Sequence, residues 1–427
     1  MEKEDFLHFI WKNSYYSYSG LRLTTGETIE VIDPGSHNLN SGPDFFNAKL
    51  KTGETVWAGN VEIHLNSSDW YKHGHNFDPS YDSVILHLVV NNDKPAVNSK
   101  KREIATLVIP YPDLLEWNYL RLLGSGKWIP CAENISVIDQ FSWHMWLTSL
   151  MIERLEEKSQ LILDQVNHAK GSWEEVFYQS IARSFGLLVN ALPFELLAKS
   201  TPLKVLAKQK NNLIQIEAIL FGQAGMLNKN LEGDDYLNTL KCEYLFLKEK
   251  YNLTPIDGSL WKFMRMRPMA FPTIRIALFA GLIHQSSSMF SRMVKTGSMK
   301  SISSFLDLKA SDYWDNHYTF EKESELKIKR LGKDMAQTIT VNSVVPFMFA
   351  YGQSCDEQQL KDLALKLLEN QKPEENGITR GFRKLGVDVA SAFDTQALVQ
   401  LKNGYCNQKK CLYCHLGATL LMKSGII

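Results

Sequence analysis

The spacing of apolar residues changes once along the chain, near residue 130. Before that point, short segments rich in β-branched and aromatic residues alternate with turn-forming residues, a pattern typical of strands. An apolar stripe over residues 5–16 predicts one helix ahead of them. The fourth strand segment is almost continuously apolar, which indicates a strand buried on both faces. The predicted strands are residues 28–32, 45–50, 56–65, 83–90 and 106–110.

After residue 130, apolar residues recur at helical spacing, without a repeat period that indicates a solenoid. The predicted helices are residues 143–168, 173–188, 193–197, 212–221, 236–251, 273–284, 288–296, 358–371 and 417–422. At 427 residues the chain also exceeds what one core usually accommodates. We therefore expect an α+β protein. A mixed-sheet α/β domain at 1–130 precedes an irregular, mostly helical domain at 131–400 and a cysteine-rich segment at 401–427.

Composition excludes only a few classes of protein. Lys and Arg together number 47, as do Asp and Glu, so a nucleic-acid surface would have to be local. No apolar run reaches the roughly 20 residues that cross a bilayer, and the charged start is not followed by a signal-type segment. Three of the six cysteines crowd near the end, which suits a reducing compartment better than a disulfide framework. We expect a cytoplasmic protein without membrane segments.

Two acidic residues fall on neighbouring predicted strands. Asp44 follows Gly42-Pro43, which favours an extended entry into its strand, and Glu62 lies in the next strand. Residues two apart in a strand share a face, so Glu62 and His64 point the same way. Converging carboxylates attract a divalent cation. The alternative is a surface hairpin with exposed acids.

Pro43-Asp44 followed by Glu62-Ile63-His64 resembles the PD-(D/E)XK nuclease superfamily, in which Pro-Asp begins one strand and Glu-x-Lys follows on the next. The resemblance implies a restriction-endonuclease-like fold in which Asp44 and Glu62 hold Mg²⁺ or Mn²⁺, together with the carbonyl of Ile63. His64 stands where that superfamily has Lys, and can act as a base near neutral pH. Lys49, on the strand that Asp44 begins, would supply the displaced positive charge.

A second polar segment lies between the third and fourth predicted strands. Its residues His73 and His75, with Asp69 and Asp78 nearby, have the chemistry of a transition-metal site. If the segment lines a cleft instead, the two histidines contact phosphate. The aromatic neighbours Trp70 and Tyr71 would then stack on bases. The alternative is a structural loop whose histidines bond to backbone carbonyls, and His87 is expected to be a hydrogen-bonded core residue.

Three arginines surround a predicted helix start in the second domain. Arg265, Arg267 and Arg275 flank Pro272, a residue favoured at the first helical position. Arginines at a helix start are suited to bind phosphate. The alternative is a kinked connection in which they bond to loop carbonyls.

The last cysteines have the spacing of a metal site. Cys406, Cys411 and Cys414 form Cys-x4-Cys-x2-Cys, followed by His415. Cys-x2-Cys is a common half-site for zinc, and the whole spacing occurs in one type of ferredoxin. Cys131 or Cys355 would be the fourth ligand of zinc or of an iron–sulfur cluster, and three reduced thiols are the alternative. Some nucleases of the superfamily named above hold such a cluster by one remote and three clustered cysteines, with other spacings.

Over nearly its full length the chain is also identified as a member of a bacterial family of unknown function, which implies no activity. The residues that carry this resemblance are 60–64, 68–75, 267–268, 271–272 and the terminal cysteines.

Three functions follow as expectations. The first is a metal-dependent nuclease, or a diverged nuclease-fold protein, that acts on nucleic acid through Asp44 and Glu62. The second is a non-catalytic module that binds nucleic acid or protein, for which these acids should be splayed apart or capped by Arg or Lys. The third is a histidine-based metallohydrolase centred on His64, His73 and His75, for which Asp44 should be dispensable.

Overall fold

A computed structural model describes residues 2–16, 20–227, 234–286, 288–295, 298–320 and 322–422. The chain forms two compact units: unit 1 comprises residues 1–146 and 401–427, and unit 2 comprises residues 147–400. The cysteine-rich segment is therefore part of unit 1 rather than a separate domain. The boundary at 146 lies inside one continuous helix, so the change of apolar spacing near residue 130 does not mark it.

Unit 1 is built on a six-stranded mixed sheet. Its strands are β1 (Ile29–Asp33), β2 (Ser36–His37), β3 (Phe45–Thr52), β4 (Thr55–Asn66), β5 (Val84–Asn91) and β6 (Thr106–Val108). The five predicted strands are thus confirmed to within two residues at each end, and the two-residue strand β2 was not predicted.

The strand order is β1-β3-β4-β5-β6, with β2 beside β3. Strands β3 and β4 form an antiparallel hairpin, whereas β5 runs parallel to β4 and β6 runs parallel to β5. Leu23, which precedes β1, bridges Leu107 of β6 at the other edge, so the sheet curls on itself. A parallel neighbour for β4 requires a crossover connection, and residues 67–83 supply it.

One face of this sheet carries the main apolar core of unit 1. Val61 and Ile63 of β4 pack there with Leu86 and Leu88 of β5. Because side chains alternate along a strand, Glu62, His64 and the neighbouring His87 belong to the opposite face. The helices of unit 1 are α1 (Glu2–Lys12), α2 (Asp69–Lys72), α3 (Asp113–Gly124) and, at the end of the chain, α17 (His415–Met422).

Unit 2 is mostly helical, and its first helix begins in unit 1. Its helices are α4 (Gln140–His168), α5 (Trp173–Phe185), α6 (Ala191–Ser200), α7 (Leu203–Ala207), α8 (Leu213–Gln223), α9 (Asp235–Tyr251), α10 (Pro272–Gln285), α11 (Met299–Phe305), α12 (Lys333–Ile339), α13 (Val345–Ser354), α14 (Gln358–Glu369), α15 (Gly377–Lys384) and α16 (Ala392–Gln400). A two-stranded ribbon joins β7 (His317–Thr319) to β8 (Lys322–Glu323).

Several of the predicted helices differ from the structure in their bounds. The helix expected at 5–16 runs over Glu2–Lys12, and the helix expected at 173–188 ends at Phe185. Of the helix expected at 288–296, residue 296 lies outside the described residues, and Ser291–Lys295 form a short π-helix. The helix expected at 193–197 is longer, running over Ala191–Ser200. Across the part of the chain that the structure describes, helices both long and apolar enough to cross a membrane are absent.

The contact between α8 and α9 depends on a residue without a side chain. A Cβ at Gly222 would lie 2.2 Å from Cδ2 of the Tyr244 ring. We expect Gly222→Ala to lower the free energy of unfolding by about 1–3 kcal/mol, because the ring must shift out of a packed position. Urea titration followed by circular dichroism measures this change. Gly377→Ala is the matched control, because a Cβ there meets nothing within 4 Å. Equal midpoints for the two variants would contradict the close approach.

Candidate metal centre

Strands β4 and β5 place three ionisable side chains on the face of the sheet opposite the main core. Glu62 and His64 are 5% and 2% exposed, and His87 is fully buried. Glu62 pairs with His87 in the parallel register of the two strands. Ionisable groups buried in this way are unfavourable unless each finds a hydrogen-bond or metal partner. The partners of Glu62, His64 and His87 must therefore explain why these side chains can be buried.

The crossover segment between β4 and β5 folds over these groups. Trp70 of α2 is fully buried and donates its indole N–H to the carbonyl of Val97 at 2.9 Å. The ring of Tyr81 stacks on the ring of His75, with centroids 3.8 Å apart. This packing fixes the segment against the sheet. As a result, His73 and His75 are brought to His64.

Four side chains then converge on one point. Nε2 of His64 lies 3.0 Å from Nδ1 of His73, and Nε2 of His75 lies 3.2 Å from Oε1 of Glu62. Nε2 of His64 is also 3.7 Å from that same oxygen of Glu62. One ring nitrogen from each of the three histidines lies within 4.8 Å of the others. Ligands about 2.1 Å from an ion are about 3.0–3.4 Å apart. The spacings of 3.0 and 3.2 Å fall in that range, whereas those of 3.7 and up to 4.8 Å are longer, so these residues could hold an ion only after small shifts of their side chains.

Burial favours the neutral, metal-binding form of His64, His75 and His87. Burial, followed by the neighbouring imidazoles, lowers the pKa of His64 to about 2. Burial also lowers the pKa of His87 to about 4 and lowers the pKa of His75. Nε2 of His75 is buried and makes no hydrogen bond to any residue that the structure describes. Oε1 of Glu62 lies 3.2 Å from this nitrogen without hydrogen-bond geometry, so the nitrogen remains available for another partner.

The two predicted acids do come together across β3 and β4. Oε2 of Glu62 accepts the backbone N–H of Asp44 at 3.1 Å, and Oδ2 of Asp44 accepts the backbone N–H of Ile63 at 2.9 Å. Burial, and then the charge of Asp44, raises the pKa of Glu62 to about 9. Glu62 is thus poised between Asp44 on one side and the histidines on the other.

A residue that the sequence did not indicate joins the acids. Nε2 of His8, on α1, lies 3.2 Å from Oδ2 of Asp44, and the two side chains are 17% and 22% exposed. Burial opposes protonation of His8, but the hydrogen bond and charge of Asp44, with the charge of Asp5, outweigh it and raise the pKa of His8. His87 was likewise expected only as a core residue. Its Nε2 lies 2.9 Å from Nδ1 of His64, which makes it a partner of the site as well.

Several predicted site residues lie elsewhere. Lys49 is opposite Ala58 of β4, four residues before Glu62 and hence about 13 Å away at roughly 3.3 Å per residue. Lys49 therefore does not replace the missing lysine, because β3 carries it away from Asp44 and Glu62 towards the hairpin turn.

The predicted stacking role of Trp70 is also wrong, because the indole is fully buried under the crossover segment. Tyr71 is half-buried: its hydroxyl donates to the carbonyl of Pro95, and Nζ of Lys94 lies 3.8 Å from the ring centre. The two aspartates expected beside the histidines are occupied elsewhere. Asp69 accepts the backbone N–H of Asn66, and Asp78 accepts that of Ser80.

The three predicted arginines lie in unit 2. Arg265 and Arg267 are exposed before α10, while Arg275 is half-buried in that helix. Nε and Nη1 of Arg275 have no hydrogen-bond acceptor among the described residues, and burial lowers the pKa of this guanidinium to about 10. The alternative of arginines bonded to loop carbonyls is thus not seen for Arg275. Binding of phosphate by the three arginines stays a prediction.

Together these features define an α+β protein whose curled mixed sheet carries a buried cluster of histidines and one glutamate. The chain belongs to the family described as "Protein of unknown function (DUF2851)", which it matches over residues 4–377. The terminal cysteines lie beyond the matched residues. No curated protein and no solved structure matches the chain. The restriction-endonuclease-like fold and the nuclease resemblance gain no support from these comparisons.

Proposed function

We propose that unit 1 is a metal-dependent hydrolase that cleaves phosphodiester bonds of nucleic acid. The observation that carries the proposal is the convergence of His64, His73 and His75 beside Oε1 of Glu62, with the buried Nε2 of His75 lacking a hydrogen-bond partner. Three imidazoles and one carboxyl group that already lie close together are suited to a divalent cation. These four residues would hold it.

The donor set favours a transition metal over Mg²⁺. Imidazole nitrogen suits Zn²⁺, Mn²⁺ and Fe²⁺, whereas Mg²⁺ prefers oxygen ligands. We therefore take Mn²⁺ or Zn²⁺ as the ion. To bind it, Nε2 of His64 must present its lone pair, which places the proton of this ring on Nδ1. That N–H then donates to Nε2 of His87, a hydrogen bond that fixes the ring orientation.

The bound ion would supply an activated water molecule at neutral pH. The remaining chemistry falls to Asp44 and His8. Asp44 raises the pKa of His8 and so favours its protonated form, and both side chains are partly exposed to solvent. His8 is therefore assigned as the general acid that protonates the leaving oxygen. Asp44 favours the protonated form of His8, and the backbone N–H of Ile63 holds Asp44 in place.

Two arguments support nucleic acid as the substrate class. Asp44 and Glu62 meet across adjacent strands, as the resemblance to the PD-(D/E)XK superfamily implies. Among the described residues, the side chains that contact these acids are those of histidines, not the Arg or Lys expected of a non-catalytic module. His64 departs from the superfamily pattern by acting as a ligand, which explains why the site takes a different class of ion.

Cleavage assays test the proposal directly. Fluorescent single- and double-stranded DNA and RNA, and an aryl phosphodiester, are incubated with the full chain and Mg²⁺, Mn²⁺ or Zn²⁺. We expect cleavage of a nucleic acid with Mn²⁺ or Zn²⁺ at rates well above those with Mg²⁺. Stoichiometric metal binding without phosphodiester cleavage would overturn the substrate class and leave the histidine-based metallohydrolase. Absence of metal binding would overturn the hydrolase itself.

The pKa of Glu62 makes metal binding pH-dependent. In the metal-free protein burial and Asp44 raise this pKa to about 9, so the cation must displace a proton at neutral pH. Higher pH removes that proton beforehand. We expect affinity for Mn²⁺ to increase with pH by up to about tenfold per unit from pH 6 to 8. Titration calorimetry measures it, and Glu62→Gln should remove most of the slope. An affinity that is flat with pH in the wild type would contradict the role of Glu62.

A further inference from the structure

The terminal segment packs against residues 118–131 of unit 1. Nζ of Lys402 donates to the carbonyl of Trp128 at 2.7 Å, and Nδ2 of Asn118 donates to the carbonyl of Leu421 at 3.2 Å. Nζ of Lys409 also donates to the carbonyl of Leu123. These contacts bring the last three cysteines back to the neighbourhood of Cys131. In sequence the two parts are separated by the whole of unit 2.

Four thiols meet in this region. Cys411 and Cys414 are buried, Cys131 and Cys406 are half-buried, and none of the four forms a disulfide. Cys411 belongs to the main apolar core of unit 1, and Cys131 packs against that same core. The backbone N–H of Lys409 donates to the carbonyl of Cys406 at 3.2 Å, and that of Cys411 donates to the carbonyl of Lys409 at 2.8 Å, so one tight turn joins Cys406 to Cys411. The backbone N–H of Cys414 donates in turn to the carbonyl of Cys411 at 3.4 Å.

The start of α17 holds two of these cysteines close to each other. The backbone N–H of Ala418 donates to the carbonyl of Cys414 at 2.8 Å, so Cys414 lies at the N-terminal end of this helix. Gly417 lets the backbone of Cys411 approach, because a Cβ at Gly417 would lie 2.3 Å from the carbonyl oxygen of Cys411. A helix N-terminus favours the thiolate form of a cysteine, which is the form that binds metal.

We propose that Cys131, Cys406, Cys411 and Cys414 bind an iron–sulfur cluster. The spacing Cys-x4-Cys-x2-Cys with a fourth, distant cysteine is one found around such clusters. A single zinc ion would hold its sulfurs about 3.8 Å apart, given a Zn–S distance of about 2.3 Å. Within the described residues, the compact group with ligand atoms inside 4.8 Å is the histidine trio, and the cysteines are not part of it. A cluster spreads its four cysteine ligands more widely than one ion does.

The cluster cross-links the end of the chain to residue 131. On binding, four S–H bonds are replaced by four Fe–S bonds, and four protons go to solvent. Because this cross-link joins segments far apart in sequence, it stabilises unit 1 by constraining the unfolded chain. No redox step is needed for this role.

The test is chemical analysis of the full chain purified without oxygen. Iron, acid-labile sulfide and zinc are quantified, and visible absorption is recorded. We expect stoichiometric iron and sulfide, with a broad visible band, in the wild type and in the control Cys355→Ser, whose cysteine is exposed in unit 2. Cys414→Ser and Cys131→Ser should each lose most of the iron and sulfide. His73→Ala should keep both, so this result is independent of the proposed hydrolase.

A second measurement covers variants that fold poorly. Cys406→Ser changes a half-buried position, and its fold is checked by near-ultraviolet circular dichroism before reconstitution with iron and sulfide. We expect the wild type, but not this variant, to recover the visible band and a raised melting temperature. Bound zinc without sulfide, or iron and sulfide that survive Cys131→Ser, would overturn the proposal.

Discussion

Replacing His73 by alanine is expected to weaken binding of Mn²⁺ to the full chain by on the order of 100-fold or more. The imidazole of His73 supplies one of the three ring nitrogens that converge beside Glu62. Its side chain is exposed, in contrast to His64 and His75, so the variant should fold normally. Affinity is measured by calorimetry or by competition with a fluorescent chelator.

His168→Ala is the matched control, since it removes an exposed histidine from α4 in unit 2. Wild-type affinity is expected for this control. An unchanged affinity for His73→Ala would mean that the contact of 3.0 Å between His73 and His64 is a hydrogen bond in a metal-free loop.

Replacing Asp44 by asparagine is expected to lower phosphodiester cleavage by about 10²–10⁴-fold while leaving metal bound. The change removes the charge that raises the pKa of His8, so the general acid loses its proton at lower pH. The backbone N–H of Asp44 still donates to Glu62, and the amide oxygen can still accept from Ile63. Cleavage rates are measured across pH, and metal content is measured in parallel. Together they separate an effect on cleavage from an effect on metal binding.

Asp78→Asn serves as control, because that carboxylate caps a turn at Ser80 on the surface and is not part of the site. It should retain the wild-type rate. If Asp44→Asn cleaves as well as the wild type, Asp44 is dispensable. The histidine-based metallohydrolase would then be preferred over a site that uses both acids.

The local pattern of the sequence predicts the strands and the face of Glu62 and His64 because each depends on a period of two. The meeting of Asp44 with Glu62 also follows, since a hairpin places the ends of its strands together. His8 could not be predicted in the same way. It reaches Asp44 because α1 packs on the sheet, and no local spacing in the sequence indicates that contact.

The two errors have different physical causes. Lys49 lies beyond Asp44 on an antiparallel strand, so β3 carries it away from the site and places it opposite Ala58, as the hairpin itself requires. Trp70 was expected to be open to bases because its neighbours are polar. Instead it packs with Val84, Ala96 and Ile104 in a small second core under the histidines. That packing depends on how the crossover segment folds against the sheet, which sequence periodicity does not contain.

In the proposed site, three imidazoles and Glu62 surround one cation. Electron paramagnetic resonance of the full chain titrated with Mn²⁺ tests it most directly, because the spectrum counts bound ions and pulsed methods detect nitrogen ligands. We expect one tightly bound Mn²⁺ per chain, with nitrogen couplings from several imidazoles. These couplings should decrease in His73→Ala. A bound ion with oxygen ligands alone, or no bound ion, would contradict it.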